Sequence, residues 1–309
     1  MNTRNLRICC LTIIAILISF TNTQAQDMVA IVFLGEGQDM ISPILEKDLT
    51  KILPEAKVQF LDYDSPQSKQ IIQQYNLRFL PFVVFSESVI NNPNFMALVK
   101  EGIIEKAGNL FFISPQRLKS YGFYIVGSEK SPNKLEMFTM SLDPRGQQAL
   151  RELINLLKNE KLDIPLQVRY ITTFREFGID SAYGPQDIKE DIRQLIIQND
   201  YPDKFLDYVL SRQVMPMEDA LSAAGIDSKV IEEKEQAGLA LLRQDAQLAA
   251  AYGINSSPVF LWEDQHLYFT WESFKPVILG LLEEQRKEAR EKGEEENTKK
   301  KSWWMPREQ

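Results

Sequence analysis

Two stretches of the chain repeat one order of elements: strand, helix, strand, helical sequence, and then a loop, a proline and a strand. Continuous apolar runs indicate strands buried on both faces, and apolar residues at three- and four-residue steps indicate amphipathic helices. In the first stretch these elements are Met28–Leu34, Ile41–Leu53, Val58–Tyr63, Gln67–Tyr75 and Pro81–Phe85.

The second stretch follows the same plan with a longer helical part. Its elements are Lys134–Met140, Pro144–Leu157, Pro165–Ile171, residues 185–248 and Pro258–Trp262. This alternation predicts an α/β fold in two domains, with parallel neighbouring strands joined by right-handed crossovers.

The first 25 residues have the organisation of a secretory signal peptide. Arg4 and Arg7 supply positive charge, Ile8–Phe20 supplies about 13 apolar or near-apolar residues, and Thr23-Gln24-Ala25 offers small residues for cleavage after Ala25. An uncleaved membrane anchor is the alternative, but the run is shorter than the ~20 residues that span a bilayer. The expected mature protein is exported, periplasmic if the source is a Gram-negative bacterium, and has no integral membrane span.

The chain's two cysteines, Cys9 and Cys10, lie within that apolar run, so the expected mature protein has no thiol. Removing the first 25 residues would also take the formal net charge from −8 to −10, because they contain two arginines and no acid. An acidic protein repels phosphate backbones, which argues against a nucleic-acid partner. A chain of this size can rely on hydrophobic cores, since disulfides become necessary mainly in small domains.

Parts of both repeats resemble a known family. Phe138–Gly146, the inserted helical sequence and Ile254–Phe260 are similar to DsbA-type members of the thioredoxin superfamily. In the first repeat, Phe60–Pro66 and Tyr75–Pro81 resemble a glutaredoxin- or thioredoxin-like module. The resemblance implies two thioredoxin-like domains, the second of DsbA type with a helical insertion.

The implied domain boundaries follow from the extent of the resemblance. Residues 26–128 would form the N-terminal thioredoxin-like domain, and residues 129–285 the C-terminal DsbA-like domain with its insertion at about 185–248. Residues 286–309 are rich in charge and are expected to form a disordered tail, and a docking role for its Trp303-Trp304 pair is left open.

The chain departs from the family at the reactive position. Where the family has Cys-Pro-x-Cys or Cys-Pro-x-Gly, this chain has Asp143, Pro144, Arg145 and Gly146. Aspartate cannot form a mixed disulfide, because thiol exchange needs a thiolate. Asp143 is instead expected to cap the next helix, with Pro144 at its first position. An enzyme that uses Asp143, or a cofactor bound in the cleft between sheet and insertion, is the alternative.

Two prolines each precede an apolar strand, at Leu80–Pro81 and Ser257–Pro258. In the resembling family the equivalent bond is cis and shapes an edge to which an extended substrate peptide adds as a strand. Such pairing needs no thiol. We therefore expect a cis bond at Ser257–Pro258, and an extended peptide or exported client protein bound at these edges. The alternative is that each proline only builds a turn.

Other catalytic signatures do not occur in the sequence. His266 is the single histidine, so neither a His–Cys pair nor a histidine-rich metal cluster can form. No Gly-x-Ser-x-Gly and no glycine-rich phosphate loop is present. No cofactor or metal is therefore expected. The sequence favours non-redox binding or assembly of exported proteins, with a thiol-free holdase chaperone or the non-thiol enzyme as alternatives.

Overall fold

The computed structural model describes residues 28–162, 164–284 and 286–287, and the chain divides into two compact units between Glu129 and Lys130. The expected signal peptide, and all but the first two residues of the expected tail, lie outside the described residues. Among the described helices, none is long and apolar enough to cross a bilayer. Each unit combines helices with a mixed sheet, which is the α/β class that the sequence predicts.

The first unit contains seven strands and three α-helices among its described residues. The strands are β1 (Val29–Leu34), β2 (Lys57–Asp62), β3 (Phe79–Leu80), β4 (Phe82–Phe85), β5 (Glu105–Ala107), β6 (Leu110–Ile113) and β7 (Phe123–Ile125). The helices are α1 (Ser42–Ile52), α2 (Pro66–Tyr75) and α3 (Pro93–Lys100). Each helix has a proline in its first turn, where the missing N–H leaves no hydrogen bond unmade.

The sheet of the first unit has the strand order β2-β1-β4-β6-β5. Strand β1 runs parallel to β2 as predicted, but β4 runs antiparallel to both β1 and β6. The prediction of parallel neighbours throughout was therefore wrong for the third strand of the repeat. The connection from β2 through α2 to β4 begins and ends at the same end of the sheet, instead of crossing to the opposite end as a parallel connection does.

The second unit follows the same plan with additional elements. It begins with β8 (Leu135–Thr139), α4 (Pro144–Glu160) and β9 (Leu166–Tyr170), followed by the hairpin β10 (Thr173–Arg175) and β11 (Gly178–Asp180). The inserted helices are α5 (Pro185–Asp200), α6 (Pro202–Arg212), α7 (Met217–Ala223), α8 (Ser228–Glu233) and α9 (Glu235–Ala251). The hairpin β12 (Val259–Trp262) and β13 (His266–Tyr268) follows, and residues 271–284 are helical.

Within the second unit the strands lie in the order β13-β12-β8-β9. Strand β8 is parallel to β9, whereas β12 is antiparallel to both β8 and β13, which repeats the departure seen in the first unit. Phe260 of β12 stacks on Phe274 with ring centroids 4.6 Å apart. Tyr208 of the insertion is fully buried in the same hydrophobic core. The insertion and the sheet therefore share one core, which fixes α5 beside the loop between β8 and α4.

Candidate functional site

The loop between β8 and α4 carries Asp143, Pro144, Arg145 and Gly146, which stand where the resembling family has its reactive motif. Buried Asp143 accepts hydrogen bonds from the backbone N–H groups of Arg145, at 3.3 Å, and Gly146, at 3.0 Å. The expected cap is confirmed, with Pro144 in the first turn of α4. The Tyr183 hydroxyl donates to the same carboxylate at 2.7 Å, and this bond raises the pKa of Tyr183. These three bonds use the carboxylate to hold the loop.

Gly146 brings this loop against the cis-proline segment. A Cβ at Gly146 would lie 2.1 Å from the Thr139 hydroxyl oxygen and 2.7 Å from that of Ser257, distances that no real Cβ tolerates. The two hydroxyl oxygens are themselves 3.1 Å apart. Glycine is therefore the residue that fits here. Residues 143–146, called the degenerate motif, lie against the segment before Pro258, so residues distant in sequence form one site.

The segment before Pro258 presents backbone groups that have no partner in the described part of the chain. The Ser257–Pro258 bond is cis, as expected. Strand β12 begins pairing with β8 only at Val259, and no backbone hydrogen bond within the described residues involves Asn255, Ser256 or Ser257. Asn255 and Ser256 are exposed, and Ser257 is half-buried. This segment, residues 255–257, is called the open edge below.

Two buried aspartates of α5 hold the backbone of the loop before Asp143. Asp187 accepts from the Leu142 N–H at 2.7 Å and from the Ser141 hydroxyl at 2.9 Å. Asp191 accepts from the Ser141 N–H at 3.0 Å through Oδ1, whereas its Oδ2 has no partner among the described residues. Burial raises the pKa of Asp191 well above its usual range, and the nearby Asp187 charge adds to the rise.

Sequence analysis did not identify these two aspartates, because acids in the first turns of a helix ordinarily stabilise its positive end while facing solvent. The one available signal was their spacing, since Asp187 and Asp191 lie four residues apart and therefore on one helix face. That spacing alone does not say whether the face is buried.

A small cavity lies behind the loop, between the sheet and the insertion. Its volume is about 20 Å³, the space of roughly one water molecule. Glu190 in its wall accepts hydrogen bonds from Gln194 at 2.9 Å, Tyr208 at 3.0 Å and Arg212 at 3.2 Å. The polar lining is thus already paired, and the volume is far below that of an organic cofactor. This cavity therefore has no room for an organic cofactor.

The outer strand β9 is closed to strand pairing by side chains of the insertion. Gln198 accepts from the Val168 N–H at 2.8 Å and donates to the Val168 carbonyl oxygen at 2.9 Å. Asp245 accepts from the Tyr170 N–H at 3.0 Å and forms an ion pair with Arg169 at 2.7 Å. Covering an edge in this way prevents another chain from adding to it.

The first unit has a different arrangement at its own proline. The Leu80–Pro81 bond is also cis, but β3 already pairs with β7, with Leu80 opposite Tyr124. The Gln38 amide in addition donates to the Leu80 carbonyl oxygen at 3.0 Å. Pairing with β7 thus occupies one side of β3, and a peptide site at Leu80–Pro81 stays a prediction. Sequence analysis missed Gln38.

The single histidine, His266, lies on β13, and its ring stacks on that of Tyr268 with centroids 6.4 Å apart. Among the described residues, no group of three or more His, Cys, Asp or Glu side chains is arranged to hold a metal ion. The open edge and the degenerate motif therefore remain the best-defined site.

Comparison with known proteins gives similarity at the level of fold. No family model matches the chain, and no curated protein matches it. Similar solved structures include a periplasmic thioredoxin-like protein from Salmonella enterica serovar Typhimurium, at 17% identity over 51% of this chain and 88% of that one, TM-score 0.35. DsbA from Klebsiella pneumoniae has 15% identity over 51% of this chain and 92% of its own, TM-score 0.33.

A third similar structure is DsbA from Proteus mirabilis in complex with a non-covalently bound peptide. Its identity is 12% over 50% of this chain and 92% of that chain, with a TM-score of 0.30. At such identities each likeness concerns the fold alone.

Proposed function

We propose that this chain is an exported protein that binds an extended peptide segment of another exported protein at the open edge, without thiol chemistry. The observation that carries the proposal is the absence of backbone partners for residues 255–257 within the described part of the chain. An extended peptide can supply those partners by lying alongside as an added strand.

The cover of strand β9 supports this choice of site. Gln198 and Asp245 occupy the backbone groups of β9 that another strand would need. The open edge has no such cover among the described residues and lies beside a fixed loop. Asp143 holds that loop through its three hydrogen bonds, which leaves its carboxylate engaged in structure and weighs against an enzyme that uses it.

Peptide binding also accounts for the missing thiols. Neither cysteine lies in residues 26–309, so the binding surface of the expected mature protein cannot form a mixed disulfide with its client. Non-covalent binding of this kind suits a role in assembly. A holdase chaperone would use the same surface, and it would differ by binding peptides of many sequences and suppressing aggregation.

The proposal can be tested by fluorescence anisotropy with residues 26–309 and labelled seven-residue peptides of alternating serine and valine. Strand addition uses the N–H groups of alternate peptide residues, because successive residues face opposite sides. N-methylation at alternate positions should therefore abolish binding, whereas methylation at the intervening positions should have little effect. Equal tolerance of every methylated position, or no binding of any unmethylated peptide, would overturn the proposal.

A further inference from the structure

The three described segments of the second unit that meet at the open edge carry a single exposed charge among them. Three segments meet there: residues 142–148 of the loop and α4, residues 182–186 before α5, and residues 254–258. Their two charged residues are Asp143, which is 4% exposed, and Arg145, which is exposed. The other exposed residues of these segments are neutral, namely Pro144, Gln148, Ala182, Tyr183, Pro185, Gln186, Asn255 and Ser256.

The guanidinium group of Arg145 has no ion pair or hydrogen bond with any described residue, although its backbone N–H is held by Asp143. The nearest acid is already committed, because the Asp143 oxygens accept from Tyr183 and from two backbone N–H groups. The charge of Arg145 opposes the rise in the Tyr183 pKa caused by that hydrogen bond to Asp143, so the guanidinium lies within electrostatic range of the loop.

Arg145 precedes the residue that contacts the open edge. Gly146 lies against the Ser257 hydroxyl, closer than a Cβ would permit. A strand paired with residues 255–257 therefore passes the residue next to Arg145, whose exposed guanidinium has no partner among the described residues. An arginine in this position can bind a carboxylate through two parallel N–H groups.

From this placement we infer that the open edge selects peptides with an acidic side chain at the one position that faces Arg145. The inference rests on the proposed function and adds the chemical class of the client segment. The overall charge of −8 does not work against it at ordinary ionic strength, since exposed charges farther apart than the Debye length are largely screened. Acidic residues at other positions of the peptide do not raise its affinity, because the three segments contain no second cationic side chain.

The test compares peptides that are identical except for glutamate or glutamine, with the substituted position moved along the alternating serine and valine heptapeptide. Binding to residues 26–309 is measured by anisotropy in 0.15 M salt. Glutamate should bind about two- to fivefold more tightly than glutamine at one position, the range expected for an exposed pair, and should show no such preference elsewhere.

Arg145→Gln should remove the preference for glutamate over glutamine, and Arg145→Glu should replace it with a preference for lysine. Arg151→Gln on the same helix is the matched control and should retain the preference for glutamate. If peptides bind but glutamate and glutamine remain equivalent, or if the preference survives Arg145→Gln, the inference is overturned while the proposed function stands. If no peptide binds the unchanged protein, both are overturned.

Discussion

At the scale of single residues, Asp143 has a structural role, because its carboxylate caps α4 and accepts a hydrogen bond from Tyr183. Replacing Asp143 with alanine leaves the N–H groups of Arg145 and Gly146 without their acceptor, as well as the Tyr183 hydroxyl. We expect a loss of about 0.5–2 kcal/mol in the free energy of unfolding, the usual cost of removing a helix cap.

Chemical denaturation followed by circular dichroism measures this loss. Asparagine can also cap a helix, so Asp143→Asn should retain most of the stability. An Asn variant as unstable as the Ala variant would show that the negative charge of Asp143, rather than its capping geometry, matters.

Gly146 offers a second test, because its close contacts oppose the ordinary helix preference for alanine. Gly146→Ala should lose about 1–3 kcal/mol of unfolding free energy through crowding against the Thr139 and Ser257 hydroxyls. Gly280→Ala is the matched control, since a Cβ there meets nothing within 4 Å, and it should gain about 0.5–1 kcal/mol.

Adding Thr139→Ala to Gly146→Ala removes the nearer hydroxyl and should recover part of the loss in thermal and denaturant unfolding. Strict additivity of the two changes would contradict the contact, because residues in contact are expected to couple.

Residue types alone predicted some of these roles and not others. Aspartate before proline is a strong cap signal, so Asp143 and Pro144 could be placed from sequence. Gln38 could not, because its role depends on the Leu80 and Gly122 carbonyl oxygens, which only the folded chain brings to its amide group. Long-range partners of this kind leave no local pattern.

At the scale of elements, α5 presents a buried acidic face to the loop. The folded-state pKa of Asp191 is raised, while its unfolded value is about 3.9, so the folded state binds the proton more tightly. The contribution of Asp191 to the free energy of unfolding is fully present below about pH 4 and is lost as the pH rises through its folded-state pKa.

Asp191→Asn should therefore weaken the decline in unfolding free energy between pH 4 and pH 7 and raise stability at neutral pH. The measurement is a series of denaturant unfolding curves across that range. Asp203→Asn, at an exposed residue of α6, is the control and should leave the slope as it is. If the unfolding free energy of Asp191→Asn falls with pH as steeply as that of the unchanged protein, Asp191 is not the group that causes the decline.

The predicted elements agree with the structure where a local pattern specifies them. Apolar runs located β1, β4, β8 and β12, and three- and four-residue steps located α1 and α4. The direction of β4 and β12 was not predictable, because it depends on how the chain reverses before each proline. The hairpin β10–β11 was missed because three-residue strands are too short to show alternation.

At the scale of the whole molecule, the central feature is an α/β chain whose cysteines, Cys9 and Cys10, both precede the described residues. Residues 26–309 should therefore produce no disulfide formation above blank with a reduced, scrambled substrate in glutathione buffer, and no reduction of insulin. A thiol oxidoreductase run in parallel shows that the assay works. Robust turnover by the cysteine-free chain would overturn the non-redox account.

The account depends most on where a peptide binds, and amide hydrogen exchange resolved by nuclear magnetic resonance measures this directly. On addition of the alternating serine and valine heptapeptide, the amide signals of Ser256 and Ser257 should both shift, and one of the two amides should exchange more slowly, because only alternate N–H groups face the added strand. The Leu80 amide, on a strand that already pairs with β7, should stay unchanged. Peptide binding that leaves Ser256 and Ser257 unaffected, or that perturbs Leu80 equally, would contradict the account.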